Sequence, residues 1–226
     1  GVEALQLVRS HVPDIIVSDV MMPRMNGYKL CKTIKEDINI SHIPVILLTA
    51  RDDRQSQISG YKNGADGYLS KPFEVEMLME LIRNRLKNRE YTKKRYLNAG
   101  LIPTPEESTI SLTDETFLIK LNSIIQENIE NSNLGIQFIC QEVGLGRSSL
   151  YNKLKALTGM GANEYISKLR IEKAITLISG TDMPFSEIAE KTGFTTPSYF
   201  STAFKQYTGE TPSQYKERKK KGLAGK

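Results

Sequence analysis

The sequence predicts two folds in one chain, an α/β unit with a parallel sheet over residues 1–88 and an all-helical unit over residues 113–226, joined by a linker at 89–112. Three observations predict this. Short apolar runs alternate with amphipathic helical ones up to Asn88. Two prolines and a basic cluster then interrupt the pattern. Past Thr113 the strand signal vanishes, and a helix–glycine–helix pattern occurs twice.

Gly1 to Leu7 reads as the start of a helix, so the natural protein is expected to extend upstream. Asp14-Ile15-Ile16-Val17-Ser18-Asp19 reads as a buried strand ending in a carboxylate. Ile43 to Thr49 forms a second such strand and Gly67 to Ser70 a shorter third. Helical patterns lie near Tyr28 to Lys35 and Asp53 to Asn63. A third runs from Glu74 to Lys87, with Val75, Leu78, Leu81, Ile82 and Leu86 on one stripe. Continuously apolar strands between amphipathic helices imply a parallel sheet covered on both faces. Ligand chemistry in such sheets gathers at the carboxyl ends of the strands. Asp19, Thr49 and Lys71 all fall at or just past those ends.

Lys93-Lys94-Arg95 and the prolines of Ile102-Pro103-Thr104-Pro105 mark the linker. Beyond it, Thr113 is expected to cap a helix carrying Phe117, Leu118, Leu121, Ile124 and Ile125 on its apolar face. An echo follows at a period of about fifty residues. Ile139-Cys140-Gln141-Glu142-Val143-Gly144-Leu145 matches Ile188-Ala189-Glu190-Lys191-Thr192-Gly193-Phe194. Leu154-Lys155 and Gly159 match Phe204-Lys205 and Gly209. Each copy is a short helix, a glycine turn and a second helix, the helix-turn-helix arrangement. A long helix from Ala162 to Ile178 joins the copies.

Composition narrows the function. The 226 residues are 39% hydrophobic and 25% charged, as in a globular protein. No apolar run approaches the roughly 18 residues needed to span a bilayer. Cys31 and Cys140 are too few and too far apart for a disulfide framework or a zinc site, which suits a reducing cytoplasm. The net charge of +5 is unevenly placed. From Ser132 onward there are 14 Lys or Arg against 8 Asp or Glu, but 12 against 11 up to Asn88. A basic second half suits a polyanionic partner. The basic run from about Lys216 to Lys221 is explained equally by phosphate attraction or by solubility.

A carboxylate at a strand end can act as a nucleophile toward phosphorus. The transfer needs cations around the phosphoryl oxygens. Asp19 would be the nucleophile and a metal ligand, Lys71 would pair with one phosphoryl oxygen, and the Thr49 hydroxyl would donate to another. Singly, each has a plain explanation: a helix cap, a solvated charge, an ordinary strand residue. Their joint order carries the reading.

That order resembles a response-regulator receiver domain over the first 88 residues. Asp19-Val20-Met21-Met22-Pro23 with Asn26-Gly27 is similar to the phosphoacceptor loop, Thr49-Ala50 to the switch segment, and Lys71-Pro72-Phe73 to the lysine before a cis-proline. The resemblance implies a flavodoxin-like fold, Tyr68 as the aromatic that turns inward on phosphorylation, and Mg²⁺ bound by Asp19 and the Met21 carbonyl. It also implies a pair of acidic Mg²⁺ ligands on a first strand that has no counterpart here. With the first strands missing, the metal site is expected to be incomplete, Mg²⁺ binding weak, phosphorylation slow, and a sheet edge exposed.

Thr113 to Arg218 resembles the AraC/XylS-family DNA-binding domain. The clearest stretch is Ile188 to Tyr215, with Gly193-Phe194, Ser198-Tyr199-Phe200, Phe204-Lys205 and Thr211-Pro212-Ser213-Gln214-Tyr215. The resemblance implies recognition helices at Arg147–Leu157 and Thr196–Tyr207, entering successive major grooves about 34 Å apart. Arg147, Ser148, Ser149, Asn152 and Lys153 on the first, and Thr195, Thr196, Ser198, Tyr199, Thr202 and Lys205 on the second, are the expected DNA contacts. Ser148, Asn152, Ser198 and Thr202 take the base-reading positions.

The expected function is a sequence-specific transcription regulator of a two-component phosphorelay, as in hybrid regulators. Its partners would be double-stranded DNA, a histidine kinase as phosphodonor, and a second copy bound through the receiver. The parent protein could be anchored in the inner membrane. The alternative is a phosphate-independent DNA reader whose receiver serves for dimerisation or docking. An enzyme is disfavoured, because no second acid–base carboxylate flanks Asp19.

Overall fold

The computed structural model describes residues 1–50, 63–99 and 111–223, and for residues 92, 94–99 and 222–223 the backbone only. The chain forms two compact units. One comprises Gly1–Ile119 with Ser148–Gly159; the other comprises Lys120–Arg147 and the chain from Met160 onward.

The first unit opens with α1 (Val2–His11), followed by β1 (Ile16–Asp19), α2 (Gly27–Glu36), β2 (Val45–Thr49), β3 (Gly67–Ser70) and α3 (Val75–Ala99). The strands form one parallel sheet in the order β1-β2-β3. Ile16 lies opposite Val45 and Asp19 opposite Leu48, while Thr49 lies opposite Ser70. Asp19, Thr49 and the start of the Lys71 segment therefore share one end of the sheet. β2 is central and apolar, with Val45, Ile46 and Leu47 fully buried. Leu30, Cys31 and Ile34 of α2 pack with Ile40, Ile43, Val45 and Leu47 in one cluster. α2 starts where Asn26 accepts a hydrogen bond from the Lys29 amide at 2.9 Å, satisfying one orphan donor of the first turn.

Three expectations are corrected. β1 begins at Ile16 rather than Asp14, because Asp14 is exposed and outside the ladder. The helix expected to end at Lys87 continues to Ala99, so the expected linker starts inside a helix. No Pro or Gly interrupts 88–98, and lost apolar periodicity alone does not stop a helix. Thr113 is not a cap, since the helix there begins at Leu112. The Ser111 hydroxyl instead accepts from the Asp114 amide at 3.2 Å, and Thr113 Oγ1 donates to the Lys35 carbonyl at 2.9 Å. The helix expected over Asp53–Asn63 lies outside the described residues. Among the described strands β1 is paired on one side, and Val17 is exposed.

Helix α4 (Leu112–Glu127) buries Phe117, Leu118, Leu121, Ile124 and Ile125, the expected stripe. After it come α5 (Ile136–Val143), α6 (Arg147–Thr158), α7 (Ala162–Gly180), α8 (Phe185–Lys191), α9 (Pro197–Thr208) and α10 (Pro212–Leu223). The internal echo is structural. Gly144 and Gly193, the matched turn glycines, have φ of 73° and 71°. In the second unit α7 packs with α8, α9 and α10 around Ile171, Ala174, Ile188, Phe200 and Phe204. Phe194, Phe200, Phe204 and Tyr215 form a ring chain with centroids 5.4, 5.7 and 5.5 Å apart. Each such pair adds about 0.5–1.5 kcal/mol beyond area burial.

Candidate functional site

The site residues expected from the sequence fall into two sets. The first lies at the carboxyl end of the sheet. β1 delivers Asp19, whose Oδ1 accepts from the Met21 amide at 3.0 Å. The other carboxylate oxygen is ion-paired with Lys71 Nζ. The Lys71 amide donates to the Thr49 carbonyl at 2.6 Å, tying the loop after β3 to the end of β2. The Lys71–Pro72 bond is cis, as the sequence motif implies. The hydrogen bond from Lys71, with that from the Met21 amide, holds the Asp19 carboxyl below the usual carboxylate range. Asp19 is therefore ionised at neutral pH, and its side chain is partly exposed.

Gly27 explains why a glycine follows Asn26. A Cβ there would lie 2.4 Å from the Asp19 carbonyl and 2.9 Å from Val20 Cα. Only a glycine lets α2 start so close to the end of β1. Thr49 is buried at the end of β2, and Tyr68 is half-buried on β3, packed against the sheet cluster. Met21 presents an exposed side chain.

A divalent cation needs more than these groups provide. Mg²⁺ takes near-octahedral oxygen coordination. Among the described residues no three His, Cys, Asp or Glu side chains cluster to hold a metal. Asp19 and the Met21 carbonyl do not by themselves fit a Mg²⁺ centre.

The second set lies on α6 and α9. Just before and along α9, Thr195, Thr196, Ser198, Tyr199, Thr202 and Lys205 are all exposed, while Phe200 and Phe204 point into the core. Thr196 also caps the helix, its Oγ1 accepting from the Tyr199 amide at 3.1 Å. This face is polar and uncharged except for Lys205. On α6, Arg147, Ser148 and Asn152 are exposed and Ser149 is half-buried. Lys153 is the correction. It is 0% exposed, and its ammonium is ion-paired with Asp114 and bonded to Ser41 Oγ at 2.8 Å. It cannot contact DNA from that position.

Sequence reasoning missed Ser41 and Asp114, both buried. The one local signal was an acidic residue on the first turn of an apolar helix, where a macrodipole role is the simplest reading. Both cysteines are free and buried. Burial pushes the Cys31 thiol up to about 12, so it is inert as a nucleophile. No helix of the described residues is long and apolar enough to cross a membrane.

Residues 1–83 match the family model "Response regulator receiver domain", and residues 139–218 match "Helix-turn-helix domain". Histidine kinase P4 of Formosa agariphila is 43% identical over 218 residues, 96% of this chain but 16% of that protein's length. The chain thus spans about a sixth of that relative. The probable transcriptional regulator ycf29 of Pyropia yezoensis is 30% identical over 73% of this chain and 79% of its own length. Among solved structures, the C-terminal domain of AraT, a response regulator from Geobacillus stearothermophilus, is 31% identical, covering 45% of this chain and 84% of its own, with a TM-score of 0.43.

Proposed function

This chain belongs to the response-regulator family, as a receiver domain followed by an AraC-type helix-turn-helix domain, and on that premise we propose that it is the DNA-reading output of a two-component phosphorelay governed by phosphorylation of Asp19. The observation that carries the proposal is the Asp19 carboxylate held against the Lys71 ammonium at the carboxyl end of the sheet, in a chain that also presents an exposed polar recognition face.

The donor is a phosphohistidine on a kinase domain. An Asp19 oxygen attacks phosphorus, the P–N bond breaks, and the imidazole leaves and takes up a proton. Lys71 then holds a phosphoryl oxygen in place of the carboxylate, and the Thr49 hydroxyl is within the same strand-end cluster to donate to another. Tyr68 follows Thr49 as the aromatic of the switch. Receiver domains generally use Mg²⁺; here the ion would need acidic ligands beyond Asp19. The kinase activity belongs to another domain or chain, and this segment has no turnover of its own. Two copies pair through the receiver, where Val75, Met77 and Met79 at the start of α3 are exposed apolar surface. The segment works in the cytoplasm, whether or not a parent protein is anchored in the inner membrane.

Asp19→Asn abolishes labelling by acetyl phosphate, read by intact-protein mass spectrometry, and the 226 residues alone label slowly. Rapid Mg²⁺-dependent labelling of that chain would contradict the incomplete-site reading. For the reader, Asn152→Ala relaxes preference at one base pair by about 1–3 kcal/mol if its contact is bidentate to adenine. Selection from a random duplex pool, with and without phosphodonor, tests the function itself. A pool in which no sequence is enriched under either condition sinks it.

A further inference from the structure

The helix α6 carries a lysine where its own periodicity calls for an apolar side chain. Leu150, Lys153, Leu154 and Leu157 form one buried stripe, while Arg147, Ser148, Tyr151, Asn152 and Lys155 are exposed. Lys153 heads the largest fully buried side chains of the described residues. Burying an ammonium costs several kcal/mol unless it is paired and hydrogen-bonded. Here it is both. It pairs with the Asp114 carboxylate of α4, donates to Ser41 Oγ at 2.8 Å, and lies 5.1 Å from the centroid of the Phe117 ring. Ser41 Oγ in turn donates to Asp114 Oδ1 at 2.7 Å. The segment bearing Ser41 is itself held: Lys35 Nζ donates to the Ser41 carbonyl at 3.3 Å and to the Ile43 carbonyl at 2.9 Å, and pairs with Asp66 at 2.8 Å.

An apolar stripe lets a helix roll and slide by small amounts, because dispersion contacts have little direction. A paired ammonium with two oxygen partners fixes both roll and height. Asn152 is the preceding residue, one helical step of about 100° around from Lys153. Whatever sets the angle of Lys153 therefore sets the angle at which Asn152 and Ser148 leave the surface. Base reading tolerates only about 0.5 Å of misplacement.

We propose that Lys153 is a positioning residue for base reading, fastening α6 from within to Asp114 and, through Ser41, to the receiver segment. The proposal rests on the DNA-reading function above. It makes the receiver part of the seat of the first recognition helix, at the end of the sheet opposite Asp19, where the Ile16 amide meets the Pro44 carbonyl.

The test uses the full chain and the duplex that the wild type selects from a random pool, beside duplexes changed singly at each position. Affinity is measured by fluorescence anisotropy across a salt series and normalised to the folded fraction. Lys153→Met is expected to lower the discrimination ratio about tenfold at the position that Asn152→Ala also relaxes, with the salt slope unchanged. Ser41→Ala, which deletes one hydroxyl and keeps the ion pair, is expected to lower the same ratio about threefold. It carries the test where Lys153→Met does not fold. A salt slope reduced by about one in Lys153→Met, with discrimination intact, would mean a phosphate contact and overturn the proposal. Intact discrimination in both variants would reduce the pair to a stability element and overturn it equally. A wild type that selects no sequence strikes the DNA-reading function instead, so the two failures are separable.

Discussion

Gly193→Ala is expected to destabilise the second unit by about 3–5 kcal/mol and to abolish DNA binding at physiological temperature. Gly193 sits at φ 71°, where an L side chain pays about 1–2 kcal/mol for the left-handed backbone. The larger part is steric. A Cβ there would stand 2.1 Å from the Ile129 carbonyl oxygen and 2.8 Å from Arg170 Nη2. Neither neighbour is free to yield. Ile129 is buried backbone, and the Arg170 Nη2 donates to the Asn131 carbonyl at 2.6 Å. Gly144 is the internal control: its φ is 73°, but a Cβ there meets nothing within 4 Å. Gly144→Ala should therefore cost only the backbone strain. Urea unfolding of both variants measures the difference, and equal losses would refute the packing argument.

Asp114→Ala is expected to cost about 3–5 kcal/mol, because it leaves the Lys153 ammonium buried without its counter-charge. The pair Asp114→Leu with Lys153→Met should recover most of that loss, since apolar replacement of a buried ion pair is commonly neutral or stabilising. Recovery in stability without recovery in base discrimination would separate packing from positioning. The pH dependence has a definite sign. Burial pushes the Asp114 carboxyl up, but the Lys153 ammonium and its hydrogen bond outweigh it, and the carboxyl ends below its usual value. A depressed carboxyl contributes stability that is fully present above about pH 4, its unfolded value, and is lost as pH falls through the folded one. Acid unfolding followed by circular dichroism should show that loss in the wild type. The Asp114→Leu, Lys153→Met pair should lack this contribution. An identical acid limb in both would rule out Asp114 as its source.

Much of the molecule was legible from the chain alone. The three strands, the turn glycines Gly144 and Gly193, and the bounds of the two helices expected to read DNA fall within two residues of expectation, because each depends on neighbours close in sequence. That Asp19 and Lys71 share one end of the sheet was legible as well, since the topology of a parallel sheet sends every strand end to one edge, but their direct ion pair was not. The errors have a common cause. Thr113 resembles a cap, but its hydroxyl goes to Lys35, and the stretch after Lys87 lacks periodicity, yet nothing in it stops a helix.

Side-chain periodicity, turn chemistry and the order of Asp19, Thr49 and Lys71 were enough to determine the architecture and to bring those three residues to one end of the sheet, because backbone preference and burial pattern act over a few residues. The fate of Lys153 was decided only by tertiary structure. Its partners lie 39 and 112 residues away in the chain. A lysine on a recognition helix looks like a phosphate contact until folding brings a buried carboxylate and a hydroxyl to it. Solvation favours the exposed state for any isolated ammonium, and only partners assembled from distant segments reverse that balance.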